Sequence, residues 1–238
     1  ISYINSNILG FTNILECCRG HEIKNLIYAS SSSVYGGNIN STFNENDNTD
    51  KPLSLYAATK KSNELMAHAY SNLYKIPSIG LRFFTVYGPW GRPDMAPFIF
   101  TKSIFEGKPI QIFNNGNVSR DFTYIDDVIE VISRLLDKPA VGNTNFESSK
   151  ASLSDSLALH RIFNIGNSSK INLMEFIKIL EDEIGKKAKK EFLGMQAGDI
   201  KSTHANTSAI EEWTGFKPNT SLAIGIKKFV SWYKSYYL

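Results

Sequence analysis

Cysteine is nearly absent. The 238 residues hold two, Cys17 and Cys18, and these are neighbours, so they cannot staple distant segments, and no Cys/His spacing resembles a zinc site. Such usage fits a reducing cytoplasm. An excess of one charge is missing too: 26 Lys and Arg stand against 23 Asp and Glu, a formal +3. That is too weak to point to nucleic acid, and no run of five basic residues occurs. The nearest, Lys186-Lys187-Ala188-Lys189-Lys190, follows a helix-like segment and reads as a solvated helix end. No apolar stretch reaches the length of a membrane span, and none reads as a signal peptide. An initiating Met is also lacking: the chain opens at Ile1 inside a helix-like pattern of Ile4, Ile8, Phe11, Leu15 and Cys18. This abrupt start predicts a fragment whose N-terminal part is missing. The rest is ordinary globular composition, 42% hydrophobic and 21% charged, which excludes disorder and coiled coil and allows a sizeable core.

After the first helix, Leu26-Ile27-Tyr28-Ala29-Ser30 fits a buried strand. Residues 36–52 are rich in Gly, Asn, Asp, Ser and Thr and form a loop. Ser54 has the chemistry of an N-cap for a helix running to about Tyr74, with Leu55, Ala58, Leu65, Ala69 and Leu73 as apolar positions. Pro77 punctuates, and residues 78–84 read as the next strand. Helix, strand, helix, strand with short links predicts an α/β fold with a parallel sheet. Further on, a helix is expected over 99–106, a short strand over 109–113 entering a tight turn at Asn114-Asn115-Gly116, and a helix capped by Asp126 and running to Leu136. Residues 141–158 read as a loop and 161–165 as a strand. Asn172 with Glu175 resembles a capping box for a helix over 173–185, and 207–214 and 221–236 read as the last helices.

The strongest local chemistry is Tyr56-Ala57-Ala58-Thr59-Lys60. Positions i and i+4 share a helix face, and a lysine ammonium beside a phenol favours the phenolate, a usable general base. Alone, this spacing is weak. Upstream, however, Ser30-Ser31-Ser32-Ser33-Val34-Tyr35-Gly36 follows directly on an apolar strand. Downstream, the next strand ends in Arg82-Phe83-Phe84-Thr85-Val86-Tyr87-Gly88-Pro89. Strand ends of parallel sheets are where ligands bind, and two successive ends deliver hydroxyls with the Tyr–Lys helix between them.

With these three stretches, and with Trp90-Gly91-Arg92-Pro93-Asp94-Met95-Ala96 continuing the last, the sequence resembles the extended short-chain dehydrogenase/reductase family. Within it the chain is most similar to the NDP-sugar epimerases, and among those to the UDP-glucuronate 4-epimerase group. The resemblance implies a Rossmann-like, doubly wound parallel sheet with a smaller mixed α/β substrate lobe. Residues 1–88 would form the C-terminal part of the NAD-binding domain. Residues 89–238 would be mainly the sugar-nucleotide lobe, with the strand near 161–165 returning to the main sheet. It implies bound NAD as cofactor and a UDP-sugar substrate. Tyr56 would take the proton from the sugar 4-hydroxyl, Ser31 would hydrogen-bond that oxygen, and Lys60 would hold the nicotinamide ribose. The 4-keto sugar would turn over and be reduced on its other face. Asn7 and Phe83 would lie on the cofactor side. Ser32, Ser33 and Thr85 would face a carboxylate at the sugar C5, with Arg92 by the same charged end. Gln111 and Phe113 would pack on the uracil, Arg120 would bind the diphosphate with its guanidinium fork, and Asp199 would bind the uridine ribose. The four histidines match no functional position. A homodimer through helices 2–18 and 54–74, a cytoplasmic location and supply of surface-polysaccharide precursors are further implications; nucleic acid, membrane and metal are not expected.

The chain departs from the family in lacking the Gly-rich turn for the NAD pyrophosphate. About 60–90 residues, two to three βα units, are therefore expected to precede Ile1, and the remaining sheet would expose an apolar edge. Within the family, 4,6-dehydratases usually carry Asp-Glu where this chain has Ser32-Ser33, and UDP-glucuronate decarboxylases carry Glu at Ser33, so both reactions fit less well. A UDP-galactose-type epimerase and a non-catalytic UDP-sugar-binding fragment remain alternatives.

Overall fold

The computed structural model describes residues 1–38, 40, 42–143, 154, 156–195 and 201–238. They form two compact units interleaved in sequence. One comprises 1–83, 130–165 and 205–217; the other comprises 84–129, 166–204 and 218–238.

The first unit is built on three parallel strands, β1 (Leu26–Ser31), β2 (Ser78–Phe83) and β6 (His160–Ile165), in the order β1-β2-β6. A π-helical turn over Ile4–Leu9 runs straight into α1 (Gly10–Arg19). The long helix α2 (Leu55–Tyr74) starts where its cap residue dictates: the Ser54 hydroxyl accepts the Ala57 N–H at 3.1 Å. It ends with Lys75 in the left-handed region, two residues before Pro77. α2 packs across all three strands. Tyr28 of β1 lies over Gly80 of β2, where an added Cβ would come within 2.5 Å of the Tyr28 hydroxyl. Only glycine lets that ring cross the sheet. The hydroxyl then bonds His160 Nε2 of β6 at 2.9 Å. Phe163 of β6 meets Trp213 of α6 (Ser208–Thr214), so residues alternating along β6 serve opposite faces.

The second unit contains two small sheets. One pairs β3 (Thr85–Tyr87) parallel to β5 (Ser119–Tyr124), which pairs antiparallel to β7 (Lys170–Asn172); the other pairs β4 (Pro109–Ile112) parallel to β8 (Lys189–Phe192). α3 (Ala96–Glu106), α5 (Leu173–Ile184) and α7 (Leu222–Tyr237) enclose a core of Phe98, Phe100, Ile110, Phe122, Phe176 and Phe229, among others. α4 (Ile125–Leu135) crosses from the second unit into the first.

Several sequence expectations need correction. α3 begins at Ala96 rather than Ile99, because Pro97 is compatible with a first helical turn. Asp126 is not a cap: α4 already starts at Ile125, and Asp126 and Asp127 lie in its first turn. The Lys186–Lys190 run is only in part a helix end. Gly185, at φ 78°, stops α5, and Lys189 and Lys190 enter β8. Strands β3, β5, β7 and β8 are not evident from periodicity. Most of the 141–158 loop lies outside the described residues.

Candidate active site

β1 ends at Ser31, which is extended (φ −157°, ψ 146°) and caps a 3-10 turn over Ser32–Tyr35. Its Oγ accepts the Ser33 N–H and donates to Ser33 Oγ, both at 3.1 Å. The turn is closed by Gly36 at φ 57°, where a Cβ would stand 2.1 Å from the Lys51 carbonyl oxygen, so the backbone itself demands glycine. Ser31 is buried, while Ser32 and Ser33 are half-buried. Phe83, half-buried, is the register partner of Ser31 at the end of β2.

Tyr56 and Lys60 sit one turn apart at the start of α2, both half-buried. The Tyr3 ring packs on Tyr56 with centroids 5.7 Å apart. Neither the phenol oxygen nor the ammonium has a hydrogen-bond partner among the described residues. Burial pulls the Lys60 ammonium below its usual pKa, and the Glu64 carboxylate one turn on acts against that. Asn7, on the π-helical turn, donates from Nδ2 to Thr59 Oγ1 at 2.9 Å, and Thr59 donates in turn to the Tyr56 carbonyl at 2.8 Å. Asn63 donates to the Asn7 carbonyl. Asn7 thus braces the turn of α2 that presents Tyr56 and Lys60.

The donor set suits a nucleotide ribose: an ammonium with three protons and a phenol, side by side and unengaged by other described residues. A cavity of about 570 Å³ in this unit lies elsewhere, on the flank of α2 lined by Lys61, Leu65, His68 and Ile162, and includes none of Ser31, Tyr56 or Lys60.

In the second unit, Thr85 is half-buried on β3, opposite Phe122 of β5. Arg120, half-buried on β5, donates to the Ser119 carbonyl at 3.0 Å. Gln111 is exposed on β4, and half-buried Phe113 opens the 3-10 turn after it. That turn places Asn114 and Asn115 in the left-handed region, as Asn tolerates. Arg92 is exposed and ion-paired with Asp94 at 3.1 Å. Asp199 lies outside the described residues.

Sequence reasoning missed two charged groups beside the serines. Arg82 and Glu64 are both buried and paired through two hydrogen bonds, Nε to Oε1 at 2.8 Å and Nη2 to Oε2 at 2.9 Å. The available signal was spacing: Glu64 continues the Tyr56–Lys60 stripe at i+8. Of the histidines, His160 is buried against Tyr28, and His68 bonds the Ser156 hydroxyl at 2.8 Å.

The model of the NAD dependent epimerase/dehydratase family matches residues 1–166. Protein CapI of Staphylococcus aureus is 55% identical over 236 residues, covering 99% of this chain and 71% of that protein. UDP-glucuronate 4-epimerase 4 of Arabidopsis thaliana is 49% identical over 243 residues, covering 99% of this chain and 54% of the relative. Among solved structures, UDP-glucuronic acid 4-epimerase from Bacillus cereus in complex with UDP-glucuronic acid and NAD aligns with a TM-score of 0.85 at 34% identity, over 98% of this chain and 69% of that one.

Proposed function

From the premise that the chain belongs to the NAD dependent epimerase/dehydratase family, we propose that it carries the catalytic machinery of a UDP-sugar 4-epimerase interconverting UDP-glucuronate and UDP-galacturonate. The observation behind this is the set formed by Ser31 at the end of β1 and the Tyr56–Lys60 pair on the first turns of α2. The names of the Arabidopsis and Bacillus relatives support the sugar.

In this reading Tyr56 accepts the proton of the sugar 4-hydroxyl and later returns it to the same oxygen after the ketone has turned over. Ser31 steadies that oxygen; its hydroxyl proton, directed at Ser33 Oγ in this structure, rotates to the substrate. Lys60 binds the nicotinamide ribose and favours the phenolate, with Asn7 and Phe83 on the cofactor side. NAD, when bound, supplies reversible hydride acceptance at C4. Ser32, Ser33 and Thr85 donate to the C5 carboxylate, and Arg92, released from Asp94, adds a charge there. Gln111 and Phe113 take the uracil, Arg120 the diphosphate and Asp199 the uridine ribose. Neutral serines at 32 and 33 suit the acid and base of an elimination poorly, and Ser33 stands where UDP-glucuronate decarboxylases carry Glu, so both reactions fit less well.

A homodimer through helices 2–18 and 54–74 belongs to the same proposal, supported by the exposed Ile4, Leu9, Ile14, Leu65 and Leu73 and read by light scattering. A cytoplasmic role supplying galacturonate for surface polysaccharide completes it. No described helix is long and apolar enough to cross a membrane.

The test is UDP-glucuronate followed by NMR with the protein of the complete reading frame. UDP-galacturonate that fails to form in Tyr56→Phe supports the proposal; UDP-xylose or a released 4-keto sugar overturns it.

A further inference from the structure

One residue before the reacting strand ends, Ser30, Arg82 and Asn164 are register partners across β1, β2 and β6. All three are polar and buried, and they share the face that carries Tyr28, Gly80 and Ile162, because side chains alternate along a strand. The Arg82 guanidinium is held on two sides. It donates both bonds of its fork to Glu64 of α2, and Nη1 reaches the Tyr35 hydroxyl at 3.0 Å and the Glu45 carbonyl at 3.2 Å. Tyr35 in turn donates to Asn164 Oδ1 at 2.6 Å.

Glu64 is the hub. Its Oε1 accepts from Ser30 Oγ at 2.6 Å as well as from Arg82, and its Oε2 accepts from Arg82 and, at 3.3 Å, from Lys61. Ser30 precedes Ser31 directly, and Glu64 lies four and eight residues past Lys60 and Tyr56. One carboxylate therefore fastens the helix bearing the base to the strand bearing the serine, through short charge-assisted bonds that do not slide as apolar contacts can.

We infer that Glu64 is a positioning residue for the proposed epimerisation: through Ser30 and Arg82 it fixes Tyr56 and Lys60 of α2 relative to Ser31 of β1. It touches neither substrate nor cofactor. This inference rests on the 4-epimerase reading, since turnover is its measure.

The experiment uses the protein of the complete reading frame, with kcat, KM for UDP-glucuronate and melting temperature measured side by side. Glu64→Gln keeps the volume but leaves Arg82 with a weaker, neutral acceptor. Its kcat is expected to fall about 100-fold, the cost of an ångström of misplacement, with little change in KM. The double variant Glu64→Gln/Arg82→Met removes the buried cation left behind and is expected to regain melting temperature without regaining kcat. If kcat returns together with melting temperature, the role is structural only and the inference is overturned. Should Glu64→Gln fail to fold, Ser30→Ala cuts only the β1 arm. An about tenfold lower kcat at nearly unchanged melting temperature is expected, and an unchanged kcat overturns the inference. A wild type without turnover overturns the functional reading and this inference together. An active wild type, silenced by Tyr56→Phe but matched by Ser30→Ala and Glu64→Gln, overturns the positioning role alone.

Discussion

Beneath the β1-β2-β6 sheet, the first unit buries an arginine–glutamate pair, a hydrogen-bonded tyrosine and asparagine, and a histidine bonded to a second tyrosine. The second unit buries phenylalanine, isoleucine and leucine from α3, α5, α7 and their strands, with Phe122 and Phe176 stacked at 4.7 Å. The apolar core is held by area, which is non-directional and tolerates exchange of one shape for a similar one. The polar interior is held by geometry, where each loss leaves a partner unsatisfied. The second unit also buries Asp121 and Asp127, but in the proposed reading it is the charged network of the first unit that must keep a base, a lysine and a serine in fixed alignment.

The strongest way to test this division is to separate chemistry from binding. Tyr56→Phe is expected to lower 4-epimerisation about a thousandfold, in the range for loss of a general base. UDP-glucuronate affinity, measured by calorimetry, should stay near wild type, because the uracil and diphosphate contacts are assigned to Gln111, Phe113 and Arg120. Comparable loss of affinity would merge the two roles.

Next comes a matched pair of core substitutions. Arg82→Met leaves the Glu64 carboxylate buried without its cation and is expected to cost about 3–5 kcal/mol in denaturant unfolding. Phe176→Leu, in an equally buried position of the second unit, removes only part of an apolar side chain and should cost about 1–2 kcal/mol. Equal costs would remove the distinction between the two interiors.

Acid should weaken the first unit through His160. Burial, reinforced by neighbouring His68, lowers its pKa to about 3, against an ordinary value of 6.5. The unfolded chain therefore binds a proton that the folded chain refuses between these two pH values. This stabilisation is complete above pH 6.5 and is lost as pH falls toward 3. The melting temperature should decline over that window, and His160→Gln should flatten the decline. Glu64 adds to acid loss at the lower end: burial pushes its carboxyl up, but the Arg82 hydrogen bonds and charge, with Lys61 and Ser30, hold it below the usual carboxylate value.

The smallest effect is local. Ser54→Ala removes the hydroxyl that accepts the Ala57 N–H and should cost about 1 kcal/mol in stability, visible as a modest drop in denaturation midpoint.

Local signals were legible where one residue carries the instruction. Ser54 marks the start of α2, Gly107 and Gly185 mark the ends of α3 and α5, and the Asn172 side chain accepts the Met174 N–H. The strand β5 was hidden because Ser119-Arg120-Asp121 is polar; buried Asp121 is satisfied by the Asn167 N–H at 2.7 Å, a contact 46 residues away in the chain. Asp127, in the first turn of α4, is likewise satisfied at long range: its carboxylate accepts the Asn219 and Thr220 N–H groups before α7.

The sequence alone determined the α/β class and the boundaries of α2, because a capping serine and a punctuating proline act over a few residues, whereas the buried face of α2 is Ala57, Thr59, Asn63, Glu64, Ala67 and Ser71 rather than the expected Leu55, Leu65 and Leu73. Tertiary structure decided the interleaving of the two units, the paths of β3, β5, β7 and β8, and the joining of Ser30, Glu64, Arg82 and Asn164 in one network. Hydrogen bonds between residues distant in sequence leave no periodic trace, and a buried ion pair reads as two solvated charges until folding closes water out.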